Sequence, residues 1–220
     1  MTKKTTQERL IDCRWAGRVC DVPGCGLPAD RWGRLCASHD KREEQTGHPE
    51  GRTIRVAELQ PFIDAARSYL KTNRDHPAIA AALRFLYDLI HGPRRRIEYL
   101  PRNATPEDRI ARWLDKMKAQ EVHEVDALAL AVAVYCHREA FPRDFESDRH
   151  FRHQLVTRFL RMVRAPRVEL WGGGRPFYRY DRVTVAVREL LGHRLEDHLG
   201  HLCLRLARLL TKHLGLTTNP

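Results

Sequence analysis

Ten consecutive apolar residues, Ala127 to Cys136, lie in the second half of the chain and set the tightest limit on its architecture. A segment that is apolar on every side has to be covered on every side, so other parts of the chain must wrap it. It is about half the length that a bilayer-spanning helix needs, so no membrane segment is expected. The alanine content of Val122 to Ala140 predicts a helix, although Val132 and Val134 leave a buried strand open. The fold class that follows is mainly α, with this helix at the centre of a bundle.

The flanking segments supply the covering helices. Leu59, Ile63, Ala66 and Leu70 step by four, three and four, one face of a helix, which would put Pro61 in its first turn. Ile79, Leu83, Leu86 and Ile90 repeat the pattern between Pro77 and the stop signal Gly92-Pro93. Thr105-Pro106-Glu107-Asp108 reads as an N-cap with proline at the first helical position, followed by Ile110, Trp113, Leu114 and Met117. Residues 147 to 164 form a fifth helix, with Phe151, Leu155, Phe159 and Met162 on one side. Arg149, Arg152, Arg158, Arg161 and Arg164 occupy much of the remainder. Residues 167 to 180 break the helical rhythm round Gly172-Gly173-Gly174 and suggest one short β-hairpin. From Arg182 to Leu214 the chain is helical again, and Leu195, Leu199, Leu202, Leu206 and Leu209 make a seam that either docks on the body or pairs two copies. Cys136 and Cys203, isolated in apolar runs, read as small buried hydrophobes.

The front of the chain follows different rules. Cys20, Cys25, Cys36 and His39 form two close pairs of metal-binding side chains separated by ten residues. Zinc takes four nitrogen or sulfur ligands in a tetrahedron, and two short loops can each bring a pair. Pro23-Gly24 supplies the first turn, and Cys36 and His39 share a helical face. All four positions are filled by protein, so one structural Zn2+ is expected, with Cys13 left as a spare thiol. The domain reading is a zinc-binding module with an N-terminal extension over 1–51 and a helical domain with a basic C-terminal third over 52–220. The polar start of the sequence shows no apolar secretory core, which leads to an expected cytoplasmic location.

The same segment carries a resemblance. Cys-x4-Cys-Gly-x-Pro, then Gly-x-Leu-Cys-x2-His, then a short charged helix and Gly47-His48-Pro49, resembles the small finger at the front of some phage and mobile-element proteins. Certain site-specific integrases and homing-type nucleases are among them. The likeness covers residues 18 to 50, under a quarter of the chain, and implies a DNA-handling context. It carries no catalytic activity across: too little chain follows for a tyrosine recombinase domain, and the paired-histidine motif of a His-Asn-His nuclease is not visible.

Charge points the same way. The formal net charge is +11, and the last seventy residues hold thirteen Lys and Arg, twelve of them Arg, against five Asp and Glu. Such an excess favours a polyanionic partner. Candidate nucleic-acid contacts are Arg94, Arg95 and Arg96; Arg149, Arg152, Arg158, Arg161 and Arg164 on the fifth helix; and Arg175, Arg179 and Arg182 interleaved with Trp171, Tyr178 and Tyr180 round the hairpin. Each set has a plainer alternative, a solvated face for the helix and packing aromatics for the hairpin. A basic helix followed by a basic hairpin is also the element order of a winged-helix reader, by analogy alone. His123, Glu124, Asp126, His137 and Glu139 are the polar residues round the central helix on which any catalysis would rest. No nucleophile elbow, phosphate-binding loop or His-Glu-x-x-His motif accompanies them, so no catalytic residue is assigned. The expected function is a nucleic-acid-binding accessory or regulatory protein of a mobile element, acting on DNA sooner than RNA. A subunit of a larger ribonucleoprotein or recombination complex, or a small nuclease, are the alternatives. Other protein subunits or a second copy are further expected partners, and a membrane is not.

Overall fold

The computed structural model describes residues 18–30, 33–94, 100–101, 103–164, 167–168, 177–178 and 183–215 of the 220. The described chain is mainly helical, with seven α-helices: α1 (Ala37–Thr46), α2 (Val56–Thr72), α3 (Pro77–His91), α4 (Pro106–Ala119), α5 (Glu124–Ala140), α6 (Asp148–Leu160) and α7 (Val185–His213). A 3-10 turn, Pro142–Asp144, links α5 to α6. The hairpin is a two-residue antiparallel ladder, Arg167 opposite Tyr178 and Val168 opposite Phe177. No described helix is long and apolar enough to cross a membrane.

Helix α5 is the central element. Every residue from Ala127 to His137 is buried, and α2, α3, α6 and α7 all pack against it. Alanines on its sides let the neighbouring backbones approach, while burying its leucines and valines contributes about 1.5–3 kcal/mol per side chain. Local signals place the ends of the surrounding helices. His76 Nδ1 accepts from Ala78 N at 3.3 Å at the start of α3, and Thr105 and Asp108 cap α4 reciprocally, at 3.2 and 3.0 Å. The C-terminus of α4 closes as a Schellman motif, Val122 N to Met117 O at 3.0 Å and Glu121 N to Lys118 O at 3.1 Å, with Glu121 in the left-handed region at φ 52°.

Two expectations need correction. Helix α2 starts at Val56, so Pro61 lies in its second turn. The start is set earlier because the Glu58 carboxylate accepts from Arg55 N at 2.5 Å and from the Arg52 guanidinium at 2.7 Å, capping the helix ahead of the proline. The fifth helix of the sequence reading, observed as α6, does not present an arginine face. It is enclosed by α5, α7 and the segment 51–55, and ten of its residues, from His150 onward, are buried except Arg152. Its ending at Leu160 leaves Arg161 and Arg164 beyond the helix.

The leucine seam docks on the body. Leu195, Leu199 and Leu206 are buried, with Leu202 half-buried and Leu209 exposed at its edge. The helix core is completed by Leu191, Cys203, Ala207 and Leu210, which are not in the seam. Cys136 and Cys203 are fully buried, and desolvation pushes the Cys136 thiol up to about 12, which suits inert apolar packing.

Candidate metal centre

Residues 19 to 39 fold as two facing loops and the first turns of α1. Val19 pairs with Pro28 in an isolated bridge, and Cys20 N donates to Leu27 O at 2.9 Å. Between them Cys25 N donates to Val22 O at 3.1 Å, a turn that needs Gly24 at φ 75°. Across the module Asp21 N donates to Arg34 O at 2.9 Å and Asp30 N to Leu35 O at 2.8 Å. Cys36 is the N-cap of α1, and His39 lies three residues on, so both face the first loop.

The result is a cluster in which the ligand atoms of Cys20, Cys25, Cys36 and His39 all lie within 4.8 Å of one another. Nδ1 of His39 is 3.4 Å from the sulfurs of both Cys20 and Cys36, and the sulfurs of Cys25 and Cys36 are 3.8 Å apart. A zinc tetrahedron with Zn–S bonds of about 2.3 Å has S–S edges of about 3.8 Å, so the spacing is compatible with one zinc ion. The Ser38 hydroxyl, 3.1 Å from the Cys36 sulfur, and the His39 backbone hold the Cys36 thiol down to about 6, favouring the thiolate that a metal needs. Among the described residues, Val22 and Leu35 are the buried hydrophobics that accompany the cysteines in the module's own core, a small apolar area for two loops. Cys13 lies outside the described residues.

The module is seated on the bundle through α1. Arg149 on α6 reaches Glu43 at 3.2 Å and Glu189 on α7 at 2.6 Å. Arg188 is buried and bridges Thr157 Oγ1 at 3.2 Å and Glu44 O at 2.7 Å. Beyond α1 the segment 51–55 crosses α6 and is held by buried partners. His150 Nε2 donates to Arg52 O at 2.8 Å, Gln154 Oε1 accepts from Ile54 N at 3.2 Å, and Arg158 donates to Ile54 O. Arg188, His150, His153 and Gln154 were not singled out in the sequence. Their partners are 31 to 144 residues away, and no local pattern marks them.

The arginines picked from the sequence divide. Arg94 donates to Leu89 O and Ile90 O at 2.6 and 2.7 Å and so caps the end of α3, with Asp115 3.8 Å away. Arg149 is held as above, Arg152 lies 3.4 Å from Glu196 and 3.8 Å from Glu189, and Arg158 is buried against Ile54. These four hold the protein together. Arg161 and Arg164 are exposed near the end of α6. Arg95, Arg96, Trp171, Arg175, Arg179, Tyr180 and Arg182 lie outside the described residues, and Tyr178 is described only as a strand residue.

The polar residues of the central helix do not converge. His123 is its exposed N-cap; Glu124 and Asp126 sit in its first turn, Asp126 paired with Arg67 at 2.8 Å. His137 is near the far end, fourteen residues or about 21 Å along the axis, buried with Nε2 2.8 Å from Asp144 Oδ2. Asp144 also pairs with Arg52. Glu139 faces Arg208 at 3.8 Å. Burial lowers the affinity of His137 for protons, as it does for His150 and, to about 4, for His153.

A further row of basic residues was not picked from the sequence as a nucleic-acid contact. On the last turns of α7, His201, Arg205, Arg208 and Lys212 are all exposed and step by four, three and four. The signal is the complement of the leucine seam, a basic residue at 201, 205, 208 and 212 on the outward side of the same helix, following the exposed Asp197 one turn earlier. No family model, curated protein or solved structure matches the chain.

Proposed function

We propose that the chain is a nucleic-acid-binding accessory or regulatory protein whose front module is organised by one structural zinc ion. The observation that carries this reading is the uncompensated charge. Every internal ion pair uses one charge of each sign, so the pairs made by Arg149, Arg152 and their neighbours leave the excess of +11 untouched. Arg158 and Arg188 are buried against neutral groups, and an excess of this sign over the rest of the chain would attract a polyanion. Four protein ligands leave no open position on the ion, which suits a holding role. The resemblance of residues 18 to 50 to the fingers of phage and mobile-element proteins agrees with DNA as the polyanion.

The test joins metal analysis to binding. The purified chain should carry one zinc per molecule. It should bind labelled duplex DNA with log affinity falling linearly against log salt, as displaced counterions require. Single-stranded DNA and a structured RNA run alongside report the preferred partner. A slope near zero on all three would end the nucleic-acid reading.

A further inference from the structure

We propose that the outward face of the C-terminal half of α7, built by Arg205, Arg208 and Lys212, is the seat for the sugar-phosphate backbone of duplex DNA. This rests on the nucleic-acid reading above and gives it a place. Three observations lead here. The first is geometry: with 3.6 residues per turn, positions 201, 205, 208 and 212 fall within about 60° of one another round the helix axis. All four are exposed. The second is charge. Neither Arg205 nor Lys212 has an ion-pair partner among the described residues, and Arg208 is 67% exposed, with Glu139 at 3.8 Å as its one described acidic partner. The cations on α6 are spent on internal partners, whereas these remain available.

The third is spacing. From Arg205 to Lys212 the helix rises about 10 Å, and the reach of its three long side chains extends the row enough to meet two or three phosphates. The helix is firmly based, since Cys203, Leu206, Ala207 and Leu210 on its opposite face are buried in the core. A rigid straight row suits the regular backbone of a duplex. The neighbouring residues on this face, Leu204 and Leu209, offer no hydrogen-bonding group to a base edge. The proposed contact is to the backbone and indifferent to sequence, whereas a fork from Arg205 or Arg208 to guanine would make two unrelated duplexes differ.

The experiment compares two triple variants of the full chain with equal loss of charge. Arg205→Gln/Arg208→Gln/Lys212→Gln removes the row. Arg55→Gln/Lys71→Gln/Arg84→Gln removes three exposed cations from α2, its N-cap and α3. Each takes the net charge from +11 to +8, and circular dichroism and zinc content confirm that each is folded. Fluorescence anisotropy with a labelled 20-base-pair duplex, from 50 to 200 mM NaCl, gives the salt slope. Loss of the row should flatten that slope by about 2 to 3, at about 0.9 per phosphate, and the other variant by less than 1. Two duplexes of unrelated sequence should behave alike. Equal flattening in both variants, with wild type still binding, would overturn the seat and leave the nucleic-acid reading intact. No binding by wild type would overturn both.

Discussion

Replacing Gly47 with alanine tests how firmly the metal module is joined to the bundle. Gly47 ends α1 at φ 85°, where an L side chain is strained by about 1–2 kcal/mol. An added Cβ would stand 2.8 Å from Cγ and 2.9 Å from Nδ1 of His153, and 3.0 Å from Arg149 O. Neither neighbour can yield easily. The carbonyl belongs to the backbone of α6, and the His153 ring is fully buried with Nε2 3.1 Å from Glu189 Oε1. Forcing a methyl into such a contact costs about 1–3 kcal/mol, and removing glycine's freedom from the unfolded chain returns about 0.5–1. The net expectation is a loss of about 2–4 kcal/mol in urea unfolding followed by far-UV circular dichroism, with zinc content read in parallel. A cycle with His153→Ala isolates the clash with the ring: that part disappears in the double variant while the approach to Arg149 O remains, so the losses should fall short of additivity by about 1 kcal/mol. A loss under 0.5 kcal/mol, or additivity within that margin, would mean that α1 is not seated on α6 as described.

Three other outcomes follow from the structure. Cys36→Ser should abolish stoichiometric zinc and open the front of the chain to trypsin at the exposed Arg34, Lys41 and Arg42, while α5 stays protected; unchanged metal content would remove Cys36 from the site. Stability should fall with acidification. His153 titrates near 6.5 in the unfolded chain and about 4 in the folded one, so its contribution is whole above pH 7 and shrinks as the unfolded state takes up the proton first. The drop from pH 7.5 to 5 is worth about 2 kcal/mol from this residue. His153→Asn, compared at the same two pH values, should show a correspondingly smaller drop, and an equal one would refute the assignment. Glu121→Gly should raise stability by up to about 1 kcal/mol in the same unfolding assay, because glycine takes the left-handed position of the α4 cap without strain; a loss would contradict that geometry.

Much of the helical frame was legible because its causes are local. The run from Ala127 to Cys136 announces a buried helix, Pro77 and Gly92 bracket α3, and Thr105 to Asp108 starts α4 at the expected residue. The metal cluster was legible for the same reason, since its four ligands lie within twenty residues and their chemistry admits few other uses. What escaped is non-local. Nothing near Arg158 says that its guanidinium will meet Ile54 O, 104 residues earlier, and nothing in 51–55 says that this segment will be covered. Arginine spacing on α6 resembles a solvent face, yet α1, α5, α7 and the 51–55 segment bury that helix from His150 onward apart from Arg152. Pro61 was misplaced because a capping carboxylate three residues before it outweighed the usual preference of proline for the first turn.

The Arg188 guanidinium meets Glu44 O across 144 residues of sequence. A ribosome adding roughly 5–20 residues each second releases the two ends of that bond about 7 to 30 s apart. During the interval the four residues of the Cys3His cluster are already made, whereas the surface of α1 that Arg188 will hold has no α7 to rest on. Chains cut short before α7 would keep all four cluster residues and leave that flank of α1 uncovered.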